Sequence, residues 1–295
     1  LSRSIREYKM VSIMTPVCIV FEVIFEILIP FMMAKMIDSG ISSGNESALV
    51  KYGTLLILCV MAGLVFGILS GGLCATASAG FAKNLRKDMY YKIQEYSFAN
   101  IDKFSSSSIV TRLTTDVTNV QNAYMMIIRI AVRAPFMLIF ALIAAFMTST
   151  KLSLIFLIAI PVLGIGLHII VSRSHIYFER VFKIYDNLNE VVEENLTGMR
   201  VVKSFVREDF EEKKFTKVSE AIYKMFLKAE GIVAYNMPLM QFCIYSCMLF
   251  LCWFGARMII TSGATALTTG ELTSLIAYAM TILNCLMMLS MVMVM

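Results

Sequence analysis

The chain has 295 residues, 58% of them hydrophobic and only 16% charged. That balance excludes a water-soluble domain of this size and indicates an integral membrane protein. The net charge of +5 follows from topology, as shown below, and calls for no nucleic-acid partner; no base-reading or stacking platform is visible.

Leu1 to Lys9 alternates polar, basic and apolar positions, which predicts a short helix lying on the inner membrane surface. Six apolar stretches long enough to cross about 30 Å of hydrocarbon fall near 11–37, 52–81, 127–148, 152–172, 232–260 and 272–295. The first is too long, and too lacking in a small-residue cleavage site, for a signal peptide. Asp38 to Ser47 is rich in Gly, Ser and Asn and reads as an outside loop. In the second span Gly63, Gly67, Gly71, Ala75 and Ala79 recur every four residues, a face that lets another helix approach closely and suggests a dimer. Pro16, Pro30, Pro135, Pro161 and Pro238 sit within or at the ends of spans, where each either kinks its helix for bending or fits a packing kink.

Between the spans lie two charged, proline-free arms, 82–126 and 173–231. In the second arm Leu188, Val191, Val192, Leu196, Met199 and Val202 recur at helical spacing, and Phe215, Val218, Ile222 and Met225 form a second run. Asp209 and Glu212 fit the N-cap and N3 positions of a capping box between them, so the segment reads as helix, tight reversal, helix. The first arm repeats the pattern, breaking across Asn100 to Phe104 and the serines Ser105 to Ser108, which cap well and make poor helix interiors. Each elbow sets aromatics beside charges, as a docking surface requires. The candidate contact residues are Phe98, Ile101, Asp102 and Phe104 in the first, and Phe205, Arg207, Glu208, Asp209 and Phe210 in the second.

Arg3, Arg6 and Lys9 precede the first span, six basic residues lie in 83–112 and eleven in 173–228, against four on the opposite connections. The positive-inside rule therefore sets both termini and both arms in the cytosol. Cys18, Cys59, Cys74, Cys243, Cys247, Cys252 and Cys285 all fall in apolar spans without a CxxC pair. They read as small buried residues, and His168 and His175 as packing or interfacial ones, with no metal site expected.

Two motifs carry a specific resemblance. SSSSIVTRLTTDVTNV and ENLTGMRVVKSFVREDFEEKKF, together with TKLSLIFLIAIPVL and TTGELTSLIAYAMTIL, resemble the membrane domain of ATP-binding cassette exporters over nearly the whole chain, with Ser107 standing where the family often has glycine. The resemblance implies an all-α membrane fold of six long helices with two cytosolic helical extensions. It also implies that the elbows are coupling helices seated on nucleotide-binding domains, which bind ATP and Mg. The Phe- and Met-rich spans resemble bacterial two-subunit multidrug exporters, so a non-identical second half-transporter is expected. No GxxxxGK[ST] loop is present, and Leu69 to Gly72, although it spells LSGG, lies deep in an apolar helix and lacks the following glutamine. The chain is thus expected to lack its own nucleotide-binding domain and to stop partway through a longer sixth helix. The ATPase would be fused downstream or sit on another chain.

The leading function is the membrane half of an ATP-driven exporter moving amphipathic drugs or xenobiotics outward by alternating access. A lipid or peptide exporter on the same fold is the alternative, with an ATP-independent carrier or channel, or a regulatory subunit, further behind. The Met and Phe residues either line an adaptable cavity or face lipid and helix contacts.

Four intramembrane charges stand out: Glu22 and Glu26 on the first span, Arg129 and Arg133 on the third. Each is costly at membrane depth, so each demands an explanation. Counting from Asp38 and Ser149 puts Glu22 and Arg133 at about 24 Å, Glu26 at about 18 Å and Arg129 at about 30 Å from the outer ends. Glu22 is expected to pair with Arg133, and Arg129 to snorkel at the inner boundary. Glu26 is left without an obvious partner; it either faces the cavity and attracts cationic substrates or is protonated or bonded to a neighbouring helix.

Overall fold

The computed structural model describes residues 2–97 and 106–294, and every regular element among them is a helix. A 3-10 segment, Ser2–Tyr8, leads into α1 (Lys9–Met36), and α2 (Glu46–Gln94) follows. Helices α3 (Ser106–Thr111), α4 (Val117–Met126) and α5 (Val132–Thr148) form one rod, joined by π-helical turns at Arg112–Asp116 and Ile127–Ala131. Then come α6 (Thr150–Thr197), α7 (Met199–Ser204), α8 (Glu208–Val233), α9 (Asn236–Ser262) and α10 (Thr269–Val294). Six stretches of these are long and apolar enough to cross a membrane, so the protein is a multi-pass membrane protein.

Helix length explains the shape. α2 has 49 residues and α6 has 48; at 1.5 Å per residue each spans about 70 Å, far beyond the roughly 40–45 Å of a whole bilayer. The excess carries the charges and leaves at one end, here termed the arm end. At the opposite, loop end the connections are short. A single extended residue, Ser149, joins α5 to α6, and Gly263 (φ 60°) closes α9 in the left-handed conformation that glycine tolerates best. Pro238 decides the joint between α8 and α9: it has no N–H for the carbonyl of Ala234, and α8 ends at Val233.

Helix α10 is the centre of the bundle. Its Leu275, Tyr278 and Ile282 are fully buried, and they pack with Ile19 and Val23 of α1, Met137 and Ala141 of α5, Phe156 of α6 and Leu251 of α9. The Tyr278 hydroxyl donates to the Ile27 carbonyl at 3.1 Å, so its polar atom enters the core with a partner. A second cluster, with Leu163, Leu167, Cys243, Cys247 and Leu283, joins α6, α9 and α10 toward the arm end.

On the small-residue face of α2, Gly63 faces Phe25, Gly67 faces Glu22 and Gly71 approaches Arg129, each at ordinary contact distance, so the glycines of the stripe face α1 and the π-helical turn before α5 within the same chain. The reason is proximity in sequence: α1 follows α2 along much of its length, and lipid offers no stronger competitor for a surface that lets backbones close in. Ala75 and Ala79, lower on the same stripe, are exposed.

The N-terminal segment is docked on the arm of α2. Ser4 Oγ donates to Asp88 at 2.9 Å and Arg6 to the same carboxylate at 2.6 Å. The Tyr8 ring occupies the space that a Cβ on Gly80 would need.

Candidate functional site

Two places gather the candidate residues: the membrane cluster and the elbow between α6 and α8. In the membrane cluster Arg133 is a fork. Its Nη1 donates to Glu22 Oε1 and its Nη2 to Glu26 Oε2, both at 2.5 Å. Glu22 also accepts from Ser70 Oγ at 3.1 Å, so both its oxygens are engaged. The structure therefore joins Glu22 to Arg133, and corrects the reading of Glu26 as partnerless. With Glu22 and Glu26 one turn apart on α1, a planar guanidinium with five donors reaches both carboxylates at once. Side-chain exposure rises from 14% at Glu22 through 30% at Arg133 to 42% at Glu26, which ranks the three from core to cavity.

Arg129 is exposed, and its side chain lines the same cavity as Glu26 and Arg133, a space of about 430 Å³ bounded on the far side by Thr281, Asn284 and Met288 of α10. Arg129 lies in the π-helical turn Ile127–Ala131, the kind of local widening that recurs at functional sites. On the α2 side Gly71 is its near neighbour.

The elbow is built by a strained reversal. α6 ends at Gly198, which interrupts the helical run expected to continue through Val202, and α7 follows as one short piece. The N–H of Arg207 then bonds the Val202 carbonyl at 3.0 Å and that of Val206 the Lys203 carbonyl at 3.4 Å. This is the double closure in which a left-handed residue, usually glycine, ends a helix. Val206 fills that place with φ 51°, a conformation a β-branched residue adopts only at a cost of about 1–3 kcal/mol. The expected capping box at Asp209 and Glu212 does not form: α8 begins at Glu208 after Arg207, without a side-chain cap. Because the reversal closes on Arg207, the helix starts earlier, and Glu208, Asp209 and Glu211 fall in its first turn, where they complement the helix dipole.

Polar ties zip the arm. Lys203 bonds Glu208 at 2.9 Å and Lys214 bonds Glu194 at 2.6 Å. The Lys203 hydrogen bond holds the Glu208 carboxyl below its usual range, and the Glu194 hydrogen bond holds the Lys214 ammonium above its own. Phe205 is 72% and Val206 80% exposed, with Phe210 exposed beside them. An open cleft of about 490 Å³, lined by Val191, Leu196, Met199 and Phe215, runs up the arm behind them. Phe98, Ile101, Asp102 and Phe104 of the first elbow lie outside the described residues.

Several contributors carry no local sequence signal. Ser70, Asn284 and Thr281 reach the cluster only through tertiary packing. At the loop end Asp38, read as a loop residue, accepts from Thr268 Oγ1 at 2.6 Å and from the Gly270 N–H at 2.9 Å. Thr268 and Glu271 complete a reciprocal cap there; the T-x-x-E spacing ahead of an apolar run was the available clue.

The family model for the ABC transporter transmembrane region matches residues 12–287. A Bacillus subtilis protein named as the ABC transporter ATP-binding protein YfiB is 30% identical over 96% of this chain and 49% of its own length. A Mycobacterium tuberculosis protein, the ABC transporter ATP-binding protein MT1311, is 26% identical over 99% of this chain and 50% of its own. An ATP-dependent lipid A-core flippase of Pseudoalteromonas translucida is 25% identical over 75% of this chain and 38% of its own length. The chain thus spans about half the length of the curated relatives it matches.

Proposed function

Since the chain belongs to the ABC transporter transmembrane region family, we propose that it is the membrane half of an ATP-driven exporter that moves amphipathic compounds out of the cytosol by alternating access. The observation that carries the reading is the pairing of two features on one rod. α6 runs about 70 Å from the loop end to an elbow whose exposed Phe205, Val206 and Phe210 have no partner surface of their own among the described residues. A rigid helix continuous from membrane to elbow transmits a push at one end to the other. Nucleotide-binding domains with ATP and Mg would seat on the elbow, and the charged arms and both termini would face the cytosol of the cell membrane. A second, non-identical membrane half is the expected partner.

Replacing Phe205, Glu208 and Phe210 together in the full-length transporter tests this. Hydrolysis that no longer responds to substrate, with substrate binding intact, is the expected result. Unchanged coupling would remove the elbow from the mechanism. Transport by the product of this gene alone, at full rate, would exclude the obligate non-identical partner.

One relative's name, the lipid A-core flippase, favours a second reading in which the cargo is a lipid. The same fold serves both, and the head group that the cavity accepts distinguishes them.

A further inference from the structure

We infer that the cavity between α1, α5 and α10 takes an amphipathic anion whose acidic head is held by the Arg129 guanidinium; this rests on the exporter reading above and names its substrate class. The argument begins with which charges are already spent. Arg133 places one amino group on each of Glu22 and Glu26 at 2.5 Å. Glu22 has no free oxygen, since Ser70 holds the second, and Glu26 keeps one oxygen toward the cavity. Arg129 stands in the same cavity with no carboxylate within 4.0 Å among the described residues, and its five N–H donors are unmatched.

The Arg129 guanidinium is exposed to this cavity and, unlike Arg133, has no carboxylate on it, so its donors stand open to an incoming acidic group. Glu26 is less demanding, since it shares the Arg133 fork with Glu22. The opposite wall adds a neutral donor, the exposed amide of Asn284. Guanidinium and amide donors converging on one space match a carboxylate, sulfonate or phosphate ester. Met137 and Met288 supply soft apolar surface for a tail. The volume of about 430 Å³ suits a head group and the first part of a chain. Glu22, Glu26 and Arg133 together keep one negative charge, which Arg129 in the same cavity offsets.

The test uses the full-length transporter in phosphatidylcholine nanodiscs and two fluorescent probes with the same alkyl tail, one ending in a sulfonate and the other in trimethylammonium. Binding is read by anisotropy. A charge-assisted contact predicts that wild type binds the sulfonate probe about tenfold more tightly than the ammonium probe. R129Q is expected to erase that preference and R129K to keep most of it, with ammonium binding unchanged in both. Asn284→Ala, whose side chain is exposed and free to lose without disturbing the fold, should weaken the sulfonate probe alone and stands in if R129Q elutes as aggregate. Equal binding of the two probes by wild type, or sulfonate affinity indifferent to Arg129 and Asn284, overturns the inference. Phosphatidylglycerol added to the bilayer separates the sources: displacement of the probe assigns the site to a bilayer lipid, and persistence to an amphiphile from the water phase, the anionic head being upheld in both. ATP-driven uptake into proteoliposomes is measured in parallel. If neither probe moves while Arg129-dependent binding persists, the exporter reading fails and the anion site stands; if both move without dependence on Arg129, the site fails and the exporter stands.

Discussion

Arg133→Gln is the substitution that should cost this protein most for the fewest atoms changed. In the wild type Glu22, Glu26 and Arg133 sum to one negative charge; without the guanidinium two carboxylates one turn apart face each other. Breaking a fully buried ion pair by removing one partner costs about 3–5 kcal/mol; this fork is partly exposed, so the lower end, about 3 kcal/mol, applies. Glu22→Gln should be milder. Arg133 keeps Glu26, the Ser70 hydroxyl keeps an acceptor, and the loss is that of one charge-assisted hydrogen bond, about 1.5–3 kcal/mol at most. The decisive variant is Arg133→Gln placed on a Glu22→Gln, Glu26→Gln background, where no carboxylate is stranded and the further cost should fall below about 1 kcal/mol. Thermal shift of the purified transporter reads all of these, with Arg133→Gln expected to lower Tm by about 10 °C at a few degrees per kcal/mol. If Arg133→Gln is no worse than Glu22→Gln, or equally damaging on the neutral background, the fork does not hold α1 to α5.

Asp38→Ala removes two hydrogen bonds to the start of α10 and a charge from its positive end, and should cost about 2–4 kcal/mol by thermal shift; Asp38→Asn should recover part of it. Tyr278→Phe gives up only the bond to the Ile27 carbonyl, about 1 kcal/mol, whereas Tyr278→Ala opens a cavity in the fully buried centre and should cost about 3–5 kcal/mol. Val206→Gly should stabilise the isolated elbow by about 1 kcal/mol, seen as slower amide exchange across α7, because glycine takes the left-handed conformation without strain. Unchanged or faster exchange would show that the reversal is held by other contacts.

The apolar runs and charged arms could be read directly, because a membrane span needs about 20 apolar residues and little else has that pattern. What counting residues could not supply was rotation about the helix axis. Depth along α1 and α5 follows from 1.5 Å per residue, but the π-helical turns at Ile37–Ile41 and Ile127–Ala131 each insert residues that turn every later side chain. Asp38, a reference for the depth count, lies inside one of them, and Arg129 inside the other. Hence Glu22 and Arg133 came out at matching depth, while the shared cavity of Arg129 and the double use of Arg133 did not. The glycines of α2 are a different case: a stripe of small residues states that another helix approaches, as α1 does, and is silent on which helix. At the elbow, propensity placed the helix start on Asp209, and the backbone closure onto Val202 overrode it.

The spacing of the four membrane charges has a mechanical corollary. α1, and α5 with the π-helical turn that precedes it, run in the same direction from arm end to loop end, and each carries two charges four residues apart. By the residue count along the two helices, movement of α5 toward the loop end by about one turn, on the order of 6 Å, would bring Arg133 level with Glu26 and Arg129 level with Glu22. Sliding of this kind would pass Arg133 from two carboxylates to one and bring Arg129 to the other, instead of stripping a bare ion into hydrocarbon. Separation sideways would break both Arg133 bonds at once, so the fork would oppose parting of α1 from α5 more than a slide along their axes.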